Sequence, residues 1–185
     1  MLVSQQLYEA GYITYMRTDS VNLSNLALAE AKKQIEVSYG EKYAKTRKYN
    51  TKTKGAQEAH EAIRPTHIEQ KEINTGDSSQ NKLYELIWKR TIASQMSDAQ
   101  FEKTNVTIDI STTSEKFVAL GEVMLFDGFL KVYLESRDDE EDNDVKENVL
   151  PILTVGTTLT HNKIDAVEKY SHQPYRYTEA SLVKK

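Results

Sequence analysis

A tyrosine and an arginine two residues apart are the side chains of this sequence best suited to chemistry on a phosphate. They are Tyr15 and Arg17, within the segment Tyr12-Ile-Thr-Tyr-Met-Arg-Thr-Asp-Ser20. A tyrosine hydroxyl can attack a phosphodiester, but its ordinary pKa of about 10 means that a base, a metal or a cation must assist. Arginine stays charged and presents a planar fork of donors to phosphate oxygens. If the segment is extended, both side chains face the same side and would meet one phosphate.

The spacing alone leaves a second interpretation open, in which Tyr15 is a packed ring and Arg17 a surface charge. A second group of polar residues lies in Glu58-Ala-His-Glu-Ala-Ile-Arg-Pro65. If residues 58–64 form one or two helical turns that stop at Pro65, His60 and Arg64 share one face. His60 could equally be satisfied by Glu61 or a backbone carbonyl, and Arg64 could brace the loop.

The strings around these residues resemble the type IA DNA topoisomerases. The resemblance is carried first by Leu7-Tyr-Glu-Ala-Gly-Tyr-Ile-Thr-Tyr-Met-Arg-Thr-Asp-Ser20 and by Glu58–Pro65. Further similarity runs through Leu83–Trp88, Phe126–Phe129 and Thr178–Val183. The resemblance covers nearly the whole chain and is weak at residues 40–57 and 136–150. Met16 favours the bacterial type I branch, because type III relatives usually have proline there.

The resemblance implies that Tyr15 attacks one DNA strand and becomes joined to a 5′ phosphate. Another strand then passes through the gap and the break is resealed, which relaxes negative supercoils without ATP. Arg17 would stabilise charge on the scissile phosphate and contact DNA, as would His60 and Arg64. Asp19 is expected to orient Arg17 or to cap the next turn.

The resemblance also implies a Mg²⁺ ion, held by an acidic N-terminal domain that this chain lacks. The four histidines show no metal-ligand spacing, and no paired Asp-x-Asp stretch appears in a suitable context. We therefore expect no metal site in this chain, and we expect the chain alone to be inactive. Its partners would be a single-stranded region of DNA and the remainder of the same polypeptide.

Composition indicates an ordinary globular chain of one or two domains. The 185 residues are 38% hydrophobic and 28% charged, and no apolar run approaches the length of a membrane span. The absence of cysteine excludes disulfides and fits a reducing compartment, so a cytoplasmic location is expected.

Charge is unevenly distributed along the chain. Residues 1–99 contain 14 Lys/Arg and 12 Asp/Glu, a balance of +2, and residues 100–185 contain 10 and 16, a balance of −6. Residues 42–57 carry six basic residues and two tyrosines, which suits phosphate contacts and base stacking but also a solvated loop. The acidic run at 138–144 is expected to be an exposed loop facing away from DNA.

Local signals predict helices in the first half of the chain. A first helix over residues 1–10 would be closed by Gly11, and a second would begin at the N-cap Ser24 and end at Gly40. A third is predicted over residues 80–96 after caps at 77–79, and a fourth begins at Thr178.

Alternating apolar residues predict strands in the second half. The runs are Val106–Ile110, Gly121–Leu125 and Leu130–Leu134, with another strand over Thr157–Val167. The predicted fold class is therefore α+β. By resemblance, residues 1–99 form a winged-helix-like helical module with the tyrosine, residues 100–170 an antiparallel β-rich arch, and residues 171–185 a return segment to a base domain.

Three other functions remain open from sequence. A tyrosine recombinase or type IB topoisomerase also forms phosphotyrosine, but uses two arginines and a His-x-x-Arg element, whereas His60 lies four residues before Arg64. The chain could instead be a non-catalytic single-stranded DNA-binding or gate module. It could also be an α+β interaction domain.

Overall fold

The computed structural model describes residues 1–49, 60–134, 150–168, 170–171 and 176–183 of the chain. The helices are α1 (Leu2–Glu9), α2 (Asn25–Tyr39), α3 (Ser78–Ser94) and α4 (Glu179–Val183), the strands are β1 (Gln100–Asp109) and β2 (Lys116–Phe126), and two 3₁₀ helices cover Glu41–Tyr43 and Gly128–Lys131. The predicted α+β class is confirmed.

The ends of the helices follow local capping chemistry. The hydroxyl of Ser24 accepts a hydrogen bond from the Ala27 amide at the start of α2, and the helix ends at Gly40, whose φ is 100°. The carboxylate of Asp77 accepts from the Ser79 amide at 2.7 Å, so α3 begins two residues before the predicted start. Gly11, with φ 78°, follows α1 as expected. The predictions of these helices are confirmed.

The chain divides into two compact units. The first covers Met1–Glu102 with Met124–Glu135, and the second covers Lys103–Val123 with Ser136–Lys185. The domain boundaries expected near residues 99 and 170 stay a prediction.

The first unit has a hydrophobic core in which α3 packs against α1 and α2. Its buried members are Leu7, Ile13, Ala27, Ala31, Ile35, Tyr43, Ile68, Ile73, Tyr84, Trp88, Ile92 and Met96. Trp88 is buried and donates its indole N–H to the Ile68 carbonyl at 2.8 Å. Trp88 is therefore a core residue and is not exposed for stacking on a base. The same core fixes the loop before α3.

The two strands form one antiparallel hairpin, β1 beside β2. Val106, Ile108 and Val123 are half-buried and Gly121 is buried, as the alternation predicts. Leu125 is exposed, which the alternation does not predict. The first two predicted strands are therefore confirmed.

The two later strands predicted from alternation are wrong. Residues 128–131 form a 3₁₀ helix, because Gly128 has φ 51° and the Phe129 amide donates to the Ser97 carbonyl instead of to a neighbouring strand. Residues 157–167 contain no strand, although they are all described. Alternation is a weak signal where no partner strand satisfies the backbone.

The helical turns predicted over residues 58–64 are also wrong in the described part, residues 60–64. Their backbone groups bond elsewhere: the Ala62 amide donates to the Asn22 carbonyl at 2.8 Å, and the Arg64 carbonyl accepts from the Thr14 amide at 2.9 Å. His60 and Arg64 therefore do not share a helix face. Residues 50–59, which include Lys52, Lys54 and Glu58, lie outside the described residues. So do His172 and the acidic run at 138–144.

Candidate functional site

The segment before Tyr15 is joined to the segment before and after Pro65. Ile13 and Pro65 form an antiparallel bridge, and the Thr66 amide donates to the Tyr12 carbonyl at 3.0 Å. The Thr14 hydroxyl donates to the Ala62 carbonyl at 2.8 Å and accepts from the Arg64 amide at 2.9 Å. These bonds hold the two sequence motifs together, so residues distant in sequence share one site.

Tyr15 stands between two other rings. Its ring meets Tyr8 of α1 edge to face at 5.3 Å between centroids, and it meets His60 in the same manner at 6.0 Å. Tyr15 is 40% exposed, so the ring is held on two sides while part of it remains open to a ligand. The structure therefore brings together two of the predicted site residues, Tyr15 and His60.

His60 has an unsatisfied ring nitrogen. Its Nδ1 is buried and has no hydrogen-bond partner among the described residues. Such an atom is costly in a folded protein and is uncommon unless a ligand, a water or a function explains it. The expectation that Glu61 or a carbonyl satisfies this nitrogen is not met in the described part of the chain.

Arg17 and Asp19 are exposed and alternate with the more buried Met16 and Thr18. Neither makes a hydrogen bond or an ion pair with another described residue, so Arg17 remains available to an anion. Asp19 does not cap the following turn. The Thr18 hydroxyl accepts from the Ser20 amide at 3.0 Å instead. The supporting role of Asp19 stays a prediction.

Arg64 faces inward and forms a brace. Its Nε and Nη2 donate to the two carboxylate oxygens of Glu61 at 2.9 and 3.0 Å, and its Nη1 donates to the Pro65 carbonyl at 2.8 Å. The Arg64 side chain is 12% exposed. This geometry agrees with the bracing alternative, and a DNA contact by Arg64 stays a prediction.

Glu61 joins this brace to the start of α2. Its Oε1 also accepts a hydrogen bond from the Ser24 amide at 2.7 Å. Burial alone would raise the pKa of Glu61, but the bonds from Arg64 and Ser24 outweigh it and lower the pKa below its ordinary value of 4.5. Glu61 therefore stays ionised and ties together the loop, the arginine and the helix.

Three residues of this site were not predicted from sequence, namely Tyr8, Thr14 and Glu61. All three lie inside the two motif strings, so the resemblance of those strings to the family was the signal that could have pointed to them. Their roles depend on contacts across the fold, which spacing does not reveal.

Residues 42–49 are the described part of the basic stretch at 42–57, and they do not form the open phosphate-binding loop that was one expectation. Lys45 and Arg47 both pair with Asp98, at 2.7 and 2.6 Å, and the Lys45 bond chiefly lowers the pKa of Asp98. Tyr43 is buried and donates its hydroxyl hydrogen to Asp127 at 2.7 Å, so it is not a stacking ring. Tyr49 remains exposed.

Within the described ranges, no group of three or more His, Asp or Glu side chains is placed to hold a metal ion. None of the described helices has the length and apolar character that a membrane crossing requires.

Comparison with known proteins identifies the family. A family model described as DNA topoisomerase matches residues 1–185, the full length of the sequence. The chain belongs to the DNA topoisomerase family. The resemblance found in the Tyr15 and Pro65 strings is thereby confirmed.

Relatives of this topoisomerase chain are similar over its whole length. It is 46% identical to DNA topoisomerase 1 of Zymomonas mobilis, 47% to DNA topoisomerase 1 type prokaryotic of Acanthamoeba polyphaga mimivirus, and 46% to DNA topoisomerase 1 of Synechocystis. All of this chain is covered in each case, but only 16%, 23% and 21% of the relatives. The chain therefore spans about a fifth of the length of these relatives.

The fold is similar to a solved topoisomerase. Full-length topoisomerase I from Thermotoga maritima matches with a TM-score of 0.61 and 38% identity, covering 74% of this chain and 23% of that one. Sequence and fold thus agree on the family.

Proposed function

We propose that this chain is the part of a type IA DNA topoisomerase that carries the nucleophile, Tyr15. The observation that carries the proposal is the placement of Tyr15, half-exposed against His60, whose buried Nδ1 lacks a partner among the described residues. The family match over residues 1–185 supports this assignment.

The hydroxyl oxygen of Tyr15 attacks a backbone phosphorus of one DNA strand and loses its proton. The bond from phosphorus to the 3′ oxygen breaks, and that oxygen leaves with the bonding electrons and becomes a 3′ hydroxyl. The product is a 5′-phosphotyrosine. After another strand passes, the hydroxyl attacks the phosphotyrosine and restores the strand. No ATP is needed, because the phosphodiester bond is exchanged and not hydrolysed.

Arg17 neutralises charge that develops on the scissile phosphate. Its exposure and its lack of a partner among the described residues support this role. His60 contacts the DNA backbone beside the tyrosine, and Arg64 acts through the loop that presents His60. Asp19 supports the approach of the strand.

Mg²⁺ would be held by another part of the full-length protein and would supply positive charge for the transfer of the phosphate. The described residues offer no ligand cluster, and Glu61, the carboxylate nearest in sequence to His60, is engaged by Arg64. The metal-binding domain, the remainder of the polypeptide and a single-stranded region of negatively supercoiled DNA are the partners. The helical unit is winged-helix-like, the hairpin begins an arch, and the protein acts in the cytoplasm.

Replacing Tyr15 by phenylalanine in the full-length protein tests the proposal. Tyr15→Phe removes the only attacking oxygen, so covalent attachment to a single-stranded oligonucleotide labelled at its 3′ end should fall to background on a denaturing gel. Tyr8→Phe is a matched control, since Tyr8 is 41% exposed and contacts the same ring. A persisting adduct in Tyr15→Phe would remove Tyr15 from its role. Attachment of a 5′-labelled piece would indicate a 3′-phosphotyrosine and contradict the type IA mechanism.

The second candidate is a non-catalytic single-stranded DNA-binding or gate module. It is favoured by the half-exposed ring of Tyr15, which Tyr8 and His60 hold on two sides, because such a ring can stack on a base without reacting. This candidate predicts oligonucleotide binding by the full-length protein with no covalent product, even with Mg²⁺ present.

A further inference from the structure

The chain turns after α1, and the turn brings the rings of Tyr8 and Tyr15 into contact. α1 is followed by Gly11, whose φ of 78° lies in the left-handed region that favours glycine. The Gly11 amide donates a hydrogen bond to the Tyr8 carbonyl at 2.9 Å. The Tyr12 amide donates to the Leu7 carbonyl, also at 2.9 Å. These two bonds close the end of the helix and return the following segment to the side of Tyr8.

Tyr8 has a fixed position at the end of α1. The residue before it, Leu7, is buried in the core, where α1 packs against α3. Tyr8 is partly exposed, and its hydroxyl makes no hydrogen bond with another described residue. Its ring meets the Tyr15 ring at 5.3 Å between centroids, with the two planes inclined by 71°. Aromatic rings prefer this edge-to-face arrangement, so the contact with Tyr15 is made by the ring of Tyr8 and not by its hydroxyl.

The backbone at Tyr15 is held less firmly than the backbone just before it. Thr14 bonds through its amide to the loop that ends at Pro65, but the backbone of residues 15–19 makes no hydrogen bond within the described ranges. The described backbone therefore does not by itself set the direction of the Tyr15 side chain. The ring of Tyr15 is instead held from two sides by ring contacts.

Of the two neighbouring rings, Tyr8 is the better placed to orient Tyr15. The centroid distance is 5.3 Å for Tyr8 and 6.0 Å for His60. Tyr8 also belongs to a helix anchored in the core, whereas His60 is proposed to contact the DNA backbone. Orientation matters at this position, because a displacement of about 1 Å between reacting atoms can lower a rate about a hundredfold.

We propose that Tyr8 is a positioning residue for the nucleophile, whose ring holds the Tyr15 ring in the orientation from which the Tyr15 oxygen reaches the scissile phosphate. The inference rests on the proposed function, which makes Tyr15 the nucleophile. Tyr8 acts only through the ring contact and takes no part in making or breaking a bond. Its ring is therefore required and its hydroxyl is dispensable.

The test is the rate of covalent attachment of the full-length protein to a single-stranded oligonucleotide, measured with Mg²⁺ in a single turnover at saturating DNA. Tyr8→Leu should lower this rate about fivefold, the scale of one edge-to-face ring pair, and should leave the dissociation constant for DNA within about twofold. Tyr8→Phe keeps the ring and should restore the rate to within about twofold of the unchanged protein. Phe101→Leu, at a ring 40% exposed on β1, is the matched control and should change neither quantity.

Three results would overturn the proposal. An unchanged rate in Tyr8→Leu would show that the ring contact is not needed. A weaker affinity with an unchanged rate at saturating DNA would make Tyr8 a DNA contact. An equal loss of rate in Tyr8→Phe would assign the effect to the hydroxyl.

A measurement on the unchanged chain covers the case in which Tyr8→Leu does not fold. The ring protons of Tyr8 and Tyr15 should show nuclear Overhauser contacts with each other, and the absence of these contacts would overturn the proposal. Failure of the proposed function is a separate outcome, because it would appear as an adduct that persists in Tyr15→Phe.

Discussion

At the scale of single residues, the site combines one open ring with one unsatisfied nitrogen. Tyr15 is partly exposed, and the buried Nδ1 of His60 lacks a partner among the described residues. Arg64, in contrast, directs its donors to Glu61 and the Pro65 carbonyl. Two residues of one motif are therefore placed differently: His60 packs against the Tyr15 ring with one ring nitrogen unsatisfied, and Arg64 is bonded within its own loop.

The brace predicts a specific loss of stability. Glu61→Gln removes the charge that accepts two hydrogen bonds from the partly buried Arg64, so the free energy of unfolding should fall by about 2 kcal/mol. Chemical denaturation measures it. Glu36→Gln is the matched control, because it breaks a surface pair with Lys32 at 3.6 Å and should change stability by less than about 0.5 kcal/mol. Equal effects of the two substitutions would contradict the brace.

The same carboxylate predicts a dependence on pH. Since folding lowers the pKa of Glu61 below 4.5, its contribution is fully present above that pH and is lost as the pH falls through the folded value. The stability difference between the unchanged chain and Glu61→Gln should therefore be constant near neutral pH and shrink below pH 4.5. A difference that grows on acidification would mean that folding raises this pKa.

At the scale of elements, local sequence signals predicted the helices correctly but predicted the wrong structure for the segment after β2. The residues that cap the helices interact with near neighbours in the chain, so the sequence predicts the helix ends. These residues are Ser24, Gly40 and Asp77. The segment at 128–131 instead follows a long-range constraint. A Cβ on Gly128 would lie 2.5 Å from the Ser97 carbonyl oxygen and 2.6 Å from the Ala99 amide nitrogen. That close approach, not the alternation of apolar residues, sets the local conformation.

Gly128→Ala should consequently destabilise the first unit by about 3 kcal/mol or more, since the clash is with backbone that cannot move freely. Thermal or chemical unfolding of the chain is the measurement. Gly76→Ala separates the two causes, because Gly76 has φ 80° but nothing within 4 Å of an added Cβ. Gly76→Ala should lower the free energy of unfolding by only about 1 kcal/mol, which is the cost of the backbone conformation alone. Similar losses in both variants would show that close packing at Gly128 is unimportant.

At the scale of the whole molecule, the chain spans about a fifth of the length of its relatives and contains the proposed nucleophile. The described residues gather no group of metal ligands around it. We propose that the nucleophile and the metal lie on separate parts of the full-length protein and that its active site is assembled between domains.

The purified 185-residue chain should therefore neither cleave an oligonucleotide nor relax negatively supercoiled plasmid with Mg²⁺. It should still bind single-stranded DNA, most tightly at low salt, because phosphate contacts release counterions. Agarose gels of the plasmid and anisotropy of the oligonucleotide measure the two properties, with the full-length protein as the positive control. Relaxation by the chain alone would overturn the separation of nucleophile and metal.

The sequence by itself determined the family, the α+β class and the ends of the main helices. These follow from contiguous strings and from caps that act within one turn. Only the tertiary structure decided that His60 faces the Tyr15 ring, that Arg64 turns to Glu61, and that residues 60–64 and 128–131 depart from their predicted forms. The reason is that each depends on backbone and packing partners distant in the chain, such as Thr14 for Arg64 and Ser97 for Gly128. Such partners form hydrogen bonds with buried polar groups or leave no room for a Cβ at a glycine, and the spacing of residues along the sequence does not reveal them.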